Sequence, residues 1–376
     1  MKNCLSTDKK DSKQILLAPN AFKGTLEAGE FCRIMCEELN TAEFTPICLP
    51  MCDGGDGTAA IIASYLQASP ITFPSVDALG RSHIVTYYTN LDTAIVDLAS
   101  ICGLKDLQPS EYDVLNANTA GLGKVLLHIR NSGIRRIILG VGGSASIDGG
   151  TGALVEMGLK IVKSGESYQN HIIELEGIET EELKKNFNNI ELLVLCDVNN
   201  LLCGPTGAAS TFGPQKGASS LQVSMLDEKL QQYASLLTKH TDINVLSLRH
   251  GGAAGGVAAA FHTLLGARLI SGADYCLLLS GFEELLATTD LVITGEGKLD
   301  AQSLQGKLPG TIASLCLQHH IPVIAVSGMA ESSLPGFKQV YTLLDYAPNL
   351  PASLRQPGYY LRMLANDLKK NILKLI

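Results

Sequence analysis

Apolar positions along the first 66 residues change their period several times. Residues 14–18 form a continuous apolar run, 26–39 carry helical spacing, 45–50 make a second short run, and 58–66 are helical again. This order predicts parallel strands joined by crossover helices. From Ile71 the style changes. Residues 83–88 and 94–98, rich in β-branched and aromatic side chains, flank a turn at 89–92 and predict a hairpin. A helix is expected over 119–130 and a strand over 136–139, and the stretch to Phe282 mixes strands with glycine loops. At Asp290 the first style returns, with strands expected at 291–294, 322–327 and 339–343 and helices at 306–318 and 361–376. The pattern predicts an α/β protein in which a discontinuous Rossmann/flavodoxin-like parallel-sheet domain (residues 1–70 and 283–376) holds an inserted second α/β domain (residues 71–282).

Composition narrows the class. With 376 residues the chain exceeds one ordinary core, and 46% hydrophobic against 18% charged residues is a globular balance. A formal charge of −8 gives no basic footprint for nucleic acid. The segment MKNCLSTDKKDSK lacks an apolar core, and residues 253–270 are interrupted by glycines, His262 and Arg268, so neither a signal peptide nor a membrane span is expected and a cytoplasmic location is. Ten cysteines include two CxxxC spacings, Cys32/Cys36 and Cys48/Cys52, with no histidine placed to complete a zinc site, which favours reduced thiols.

The 37 glycines gather where strands end. After the first run comes Asn20-Ala21-Phe22-Lys23-Gly24, and after the second Asp53-Gly54-Gly55-Asp56-Gly57. The strand at 291 runs into Gly295-Glu296-Gly297-Lys298-Leu299-Asp300, expected as a turn. Parallel strands would bring these loops to one edge, with four carboxylates and a lysine around a crevice. The inserted region adds Gly142-Gly143-Ser144-Ala145-Ser146-Ile147-Asp148, a loop able to present successive amides to an anion, then Asp197 after residues 192–196, Lys216 in Gly213-Pro214-Gln215-Lys216-Gly217, and Gly251–Gly256. Each has a plainer reading: Asp-Gly pairs are ordinary turn chemistry, and glycines at helix starts allow close packing. As a set, acids in glycine turns with few cations nearby point to a metal ion, and hard oxygen donors suit Mg²⁺ on nucleotide phosphates. No GxxxxGK[ST], GxSxG, or protein-kinase HRD or DFG motif occurs, and no GxGxxG follows the first strand.

These loops resemble those of the bacterial type I glycerate kinase family. The family's APDSFKG reads Ala18-Pro19-Asn20-Ala21-Phe22-Lys23-Gly24, and its MADGGEGT reads Met51-Cys52-Asp53-Gly54-Gly55-Asp56-Gly57-Thr58. Its GGSATNDGG reads Gly142 to Gly150 here. Its CDVDNPLLGPRGA and FGPQKGA stretches are matched at 196–200, 204–208 and 212–218, and DLVITGEGRLDGQTLHGKVP at 290–309. The resemblance implies two α/β domains and ATP-dependent, Mg²⁺-assisted phosphorylation of D-glycerate, mostly at the 2-position. Three places depart from it: Asn20-Ala21 replaces Asp-Ser, Ser146-Ile147 replaces Thr-Asn, and Asn199 replaces an Asp.

On this reading Glu296 and Asp300 hold Mg²⁺. Asp197 is the base, Lys23 meets the substrate carboxylate or the transferring phosphoryl, and Asn20, Asp53, Asp56 and Lys216 bind substrate. Gly142, Gly143, Ser144, Asp148, Gly295 and Gly297 bind ATP. Partners are then the small acid and ATP, without nucleic acid or membrane. Two alternatives stay open: a kinase for another short hydroxy acid, and a non-catalytic nucleotide or acid sensor suggested by Asn20 and Asn199. Oligomeric state is not legible.

Overall fold

A computed structural model of the chain describes residues 12–22, 24–300, 303, 307–331 and 334–376. Strands β1 (Lys13–Pro19) and β2 (Phe44–Cys48) come first. They are followed by β3 (Ser69–Val76), β4 (Ser82–Asn90), β5 (Thr93–Asp97), β6 (Arg136–Gly140), β7 (Lys160–Lys163), β8 (Leu175–Glu179), β9 (Glu191–Cys196) and β10 (Arg268–Ser271). β11 (Leu291–Leu299), β12 (Val323–Ala330) and β13 (Gln339–Thr342) close the set. The chain divides into two compact units, residues 1–53 with 273–376 and residues 54–272. Helix Thr58–Leu66 packs on β4, β5 and β6 and therefore belongs with the inserted unit, ahead of the boundary expected near Pro70.

The discontinuous unit is a five-stranded, all-parallel sheet in the order β13-β12-β11-β1-β2. Counting its own strands along the chain, the order is 2-1-3-4-5, the flavodoxin-like arrangement. β1 is interior, between β11 and β2, and residues Ile15 to Ala18 are fully buried, as a parallel strand covered on both faces must be. Ile15, Leu17, Ile293 and Val326 pack with Phe31 and Met35 of helix Ala28–Leu39 and with Leu361, Leu364 and Leu368 of helix Pro357–Asn371. Arg362 ties the two helices by donating to Glu38 at 2.8 Å and Glu37 at 2.7 Å. Cys36 and Cys48 bring their sulfur atoms side by side. The seven other described cysteines form no disulfide.

The inserted unit has a six-stranded sheet, β10-β9-β6-β5-β4-β3, parallel from β10 to β5 and antiparallel through β4 to β3, with a separate β7–β8 hairpin. The expected hairpin is β4–β5, pairing Tyr88 with Ile95 and Thr89 with Ala94. Val96, Leu139 and Val194 pack with Leu122, Val125 and Ile129 of helix Ala120–Asn131 and with Phe261 of helix Val257–Leu265. Among the described residues no helix is long and apolar enough to cross a membrane.

Candidate active site

In the discontinuous unit, strand order reverses between β1 and β11. Their outgoing connections run to opposite sides, which leaves a crevice at their carboxyl ends. Asn20 follows β1 directly and is buried there. Its amide donates to Asp53 at 2.9 Å, its carbonyl oxygen accepts from Ala21 at 2.9 Å, and its backbone N–H donates to Gly295 at 2.8 Å. Asn20 thus ties the end of β1 to Asp53, beyond β2, through its side chain and to β11 through its backbone. The segment expected as a turn at 295–300 is strand as far as Leu299. An added Cβ at Gly295 would strike the Val326 carbonyl, so glycine lets β11 and β12 lie close while Lys298 and Leu299 pair with Met329 and Ala330.

Glu296 stands in register with Ser327, whose fully buried hydroxyl has no hydrogen-bond partner among the described residues. Lys298 lies 3.2 Å from Asp300. Burial opposes ionisation of Asp300, but the Lys298 hydrogen bond, the Ser303 N–H and the charges of Lys307 and Lys298 outweigh it and hold the carboxyl below its ordinary value. Glu296, Gly297, Lys298, Asp300 and Lys307 line one cavity of about 380 Å³. Lys23 lies outside the described residues.

In the inserted unit the corresponding loops close on themselves. Asp148 is 0% exposed, and its carboxylate accepts from five donors: Thr119 N–H (2.9 Å), Thr119 Oγ1 (2.7 Å), Ser146 Oγ (2.9 Å), Gly150 N–H (3.3 Å) and Gly152 N–H (3.2 Å). It thereby holds the N–H groups of Gly150 and Gly152 at the start of the short helix Thr151–Glu156. Gly142 donates to Gly54 at 2.9 Å, and Gly149 donates to Gly255 at 3.0 Å. Gly255 and Gly256 lie against the 146–149 loop, whereas Gly251 and Gly252 lie against Leu248 and Leu201.

Lys216 is buried, and its ammonium donates to Ser144 Oγ at 2.8 Å and to the Ser146 carbonyl at 2.7 Å. Burial lowers its pKa to about 8, against the pull of Asp148 and Asp197. Asp197, just past β9, lies against Gly142, where a side chain would come within 2.9 Å of its carboxylate. Asp56 is paired with Lys105 at 2.6 Å, and Asn199 accepts from Arg249 at 2.9 Å.

Sequence reasoning passed over Asp97. It ends β5, is buried, and accepts from Ala59 N–H at 2.9 Å, tethering the start of helix Thr58–Leu66. Burial first, and then the charge of Asp56, pushes its pKa up to about 7, against the Ala59 and Gly57 N–H groups and Lys105. A lone acid closing the apolar run Thr93–Asp97 was the available signal. Ser327, after Val323–Val326, carried a weaker one. Among the described residues no group of three or more His, Cys, Asp or Glu is arranged to hold a metal ion, so Glu296 and Asp300 offer a carboxylate pair at most.

The glycerate kinase family matches residues 15–373 of the chain. A glycerate kinase of Halalkalibacterium halodurans is 31% identical over 94% of this chain and 97% of its own length. The glycerate 2-kinase of Escherichia coli K12 is 33% identical over 84% of this chain and 85% of its own. The crystal structure of a protein designated glycerate kinase 2 from Salmonella typhimurium LT2 superposes with a TM-score of 0.77 at 29% identity, covering 96% of this chain and 99% of that one. The chain belongs to the glycerate kinase family.

Proposed function

We propose that the chain transfers the γ-phosphoryl group of ATP, with Mg²⁺, to D-glycerate, with the 2-hydroxyl as acceptor. The observation that carries this reading is the cavity at the strand-order reversal, which gathers two carboxylates and two lysines at the edge where open parallel sheets take their ligands. A glycerate 2-kinase among the relatives supports the 2-position. A phosphoryl donor of this kind is supplied in the cytoplasm, where we place the chain.

Phosphoryl transfer needs positioning and charge neutralisation more than covalent chemistry from the protein. The acceptor hydroxyl oxygen attacks the γ-phosphorus, the bond to the β–γ bridging oxygen breaks, ADP leaves, and the hydroxyl proton passes to a carboxylate. Glu296 and Asp300 fit Mg²⁺ by chemistry and number, because this ion is held by one or two carboxylates with phosphates and water completing its shell. When bound, it neutralises charge on the β- and γ-phosphates.

Lys298 and Lys307 would meet phosphate oxygens, and Lys23 the substrate carboxylate or the transferring group. Asp197 is assigned as the base, near enough to the buried Lys216 for the two charges to attract. Asn20, Asp53 and Asp56 are assigned to the acid substrate. Gly142, Gly143 and Ser144, with Gly295 and Gly297, would bring backbone close to ATP. Asp148 and Lys216 serve by holding the 142–150 loop in shape. ADP release, measured over a panel of short hydroxy acids, tests the acceptor. D-glycerate should give the highest kcat/KM, and a better rate with another acid would reassign the substrate.

A further inference from the structure

Phosphate and metal chemistry leave one wall of the 380 Å³ cavity unexplained. Leu350 and Leu354 lie one turn apart on helix Leu350–Arg355 and line it while remaining 37% and 51% exposed. That helix is fixed in place: Asn349 caps it by accepting from Ala352 N–H at 2.9 Å, and Pro351 pre-sets its first turn. Phe22, Met329, Leu343 and Pro357 continue the apolar surface. The cavity therefore has two unlike halves, one apolar and one carrying Lys298 and Lys307 beside Glu296 and Asp300.

A three-carbon acid with oxygen on every carbon has nothing to place against leucines, and burying its hydroxyls there would leave them without partners. Inorganic phosphate or a metal ion alone would use only the charged half. A nucleoside polyphosphate is matched to both: a flat apolar base at one end and a chain of negative charge at the other. The volume falls in the range of small-ligand pockets, about 300–1,000 Å³.

We propose that the wall made by Leu350 and Leu354 seats the nucleobase of the phosphate donor, with its phosphates directed toward Lys298 and Lys307. This rests on reading the chain as a nucleotide-dependent kinase. It adds to that reading which part of the donor is held, and by which side chains.

Calorimetry with ADP and with tripolyphosphate, each with Mg²⁺, separates base from phosphate. Leu350→Ser/Leu354→Ser removes apolar surface from exposed positions without adding charge, and its unfolding curve should overlay that of the parent. The variant should bind ADP about tenfold more weakly, equivalent to about 1.4 kcal/mol, with tripolyphosphate affinity unchanged within about twofold, and Leu354→Met should bind ADP like the parent. Unchanged ADP affinity in the double variant would overturn the proposal. An equal loss for both ligands would also overturn it, since the wall would then be shaping the charged half. Neither titration contains an acceptor, so a chain that ignores D-glycerate yet shows the ADP-selective loss would lose its proposed substrate and keep this seat.

Discussion

Two edges of the molecule carry the same vocabulary of glycine and acid after a parallel strand, and they put it to different ends. At the carboxyl edge of the discontinuous unit, Glu296, Asp300, Lys298 and Lys307 line a cavity alongside leucines that remain exposed. At the carboxyl edge of the inserted unit, Asp148 is enclosed by five donors and Lys216 by two acceptors. A buried carboxylate that accepts five hydrogen bonds within the chain fits an architectural part, and the Lys216 ammonium places two of its three N–H groups the same way. Charged groups of both signs gathered around an open cavity are available to a ligand. Asp53 and Asp148 each begin an Asp-Gly-Gly triplet, so what separates them is the set of donors that folding brings to each carboxylate.

The largest effect tests the closed edge. Asp148→Ala leaves Thr119, Ser146, Gly150 and Gly152 donors unpaired in a dry site and should cost about 3–5 kcal/mol in urea unfolding. Unchanged stability with lost turnover would instead make Asp148 a ligand contact.

Next is Asp97, whose folded-state pKa of about 7 exceeds the unfolded value of 3.8. Between those values the folded chain holds the extra proton, so this group's contribution to stability falls as pH rises and is lost above about pH 7. Asp97→Asn keeps an acceptor for Ala59 and removes the titration. Relative to the variant, the parent should lose up to about 4 kcal/mol between pH 4 and 7, with the difference level above pH 8. A difference that is flat across this range would mean that Asp97 stays ionised in the fold.

Glu296→Gln probes the open edge. Its kcat should fall about 100-fold with unfolding midpoints nearly unchanged, and a comparable fall in stability would move Glu296 to the architectural class. The smallest effect belongs to Asn20→Asp, which sets a second carboxylate 2.9 Å from where Asp53 now accepts an amide hydrogen bond. The variant should lose about 1–2 kcal/mol at pH 7 and regain most of it as pH falls to about 4, or with millimolar Mg²⁺.

Much of this was legible from residue order. The apolar runs at 14–18 and 291–294 announce parallel strands because both faces are covered, and the loops after them mark the crevice edge. Other features depend on contacts distant in sequence. β3 contains Pro70 and Pro74, which argue against a strand until the sheet order places it at an edge, where missing donors are tolerated. Residues 295–299 read as a turn from their glycines, yet Gly295 serves the close approach of Val326, a residue supplied by another strand. Asp97 gave little sign of its role because the N–H groups it holds lie 38 and 40 residues earlier in the chain, Ala59 at 2.9 Å among them.

The proposed reaction turns on where the phosphoryl group goes. A ³¹P spectrum of the chain incubated with D-glycerate, ATP and Mg²⁺ should show the ATP resonances giving way to ADP, with an equimolar phosphomonoester coupled to the single proton on carbon 2. ADP accompanied only by inorganic phosphate, or no consumption of ATP, would contradict it.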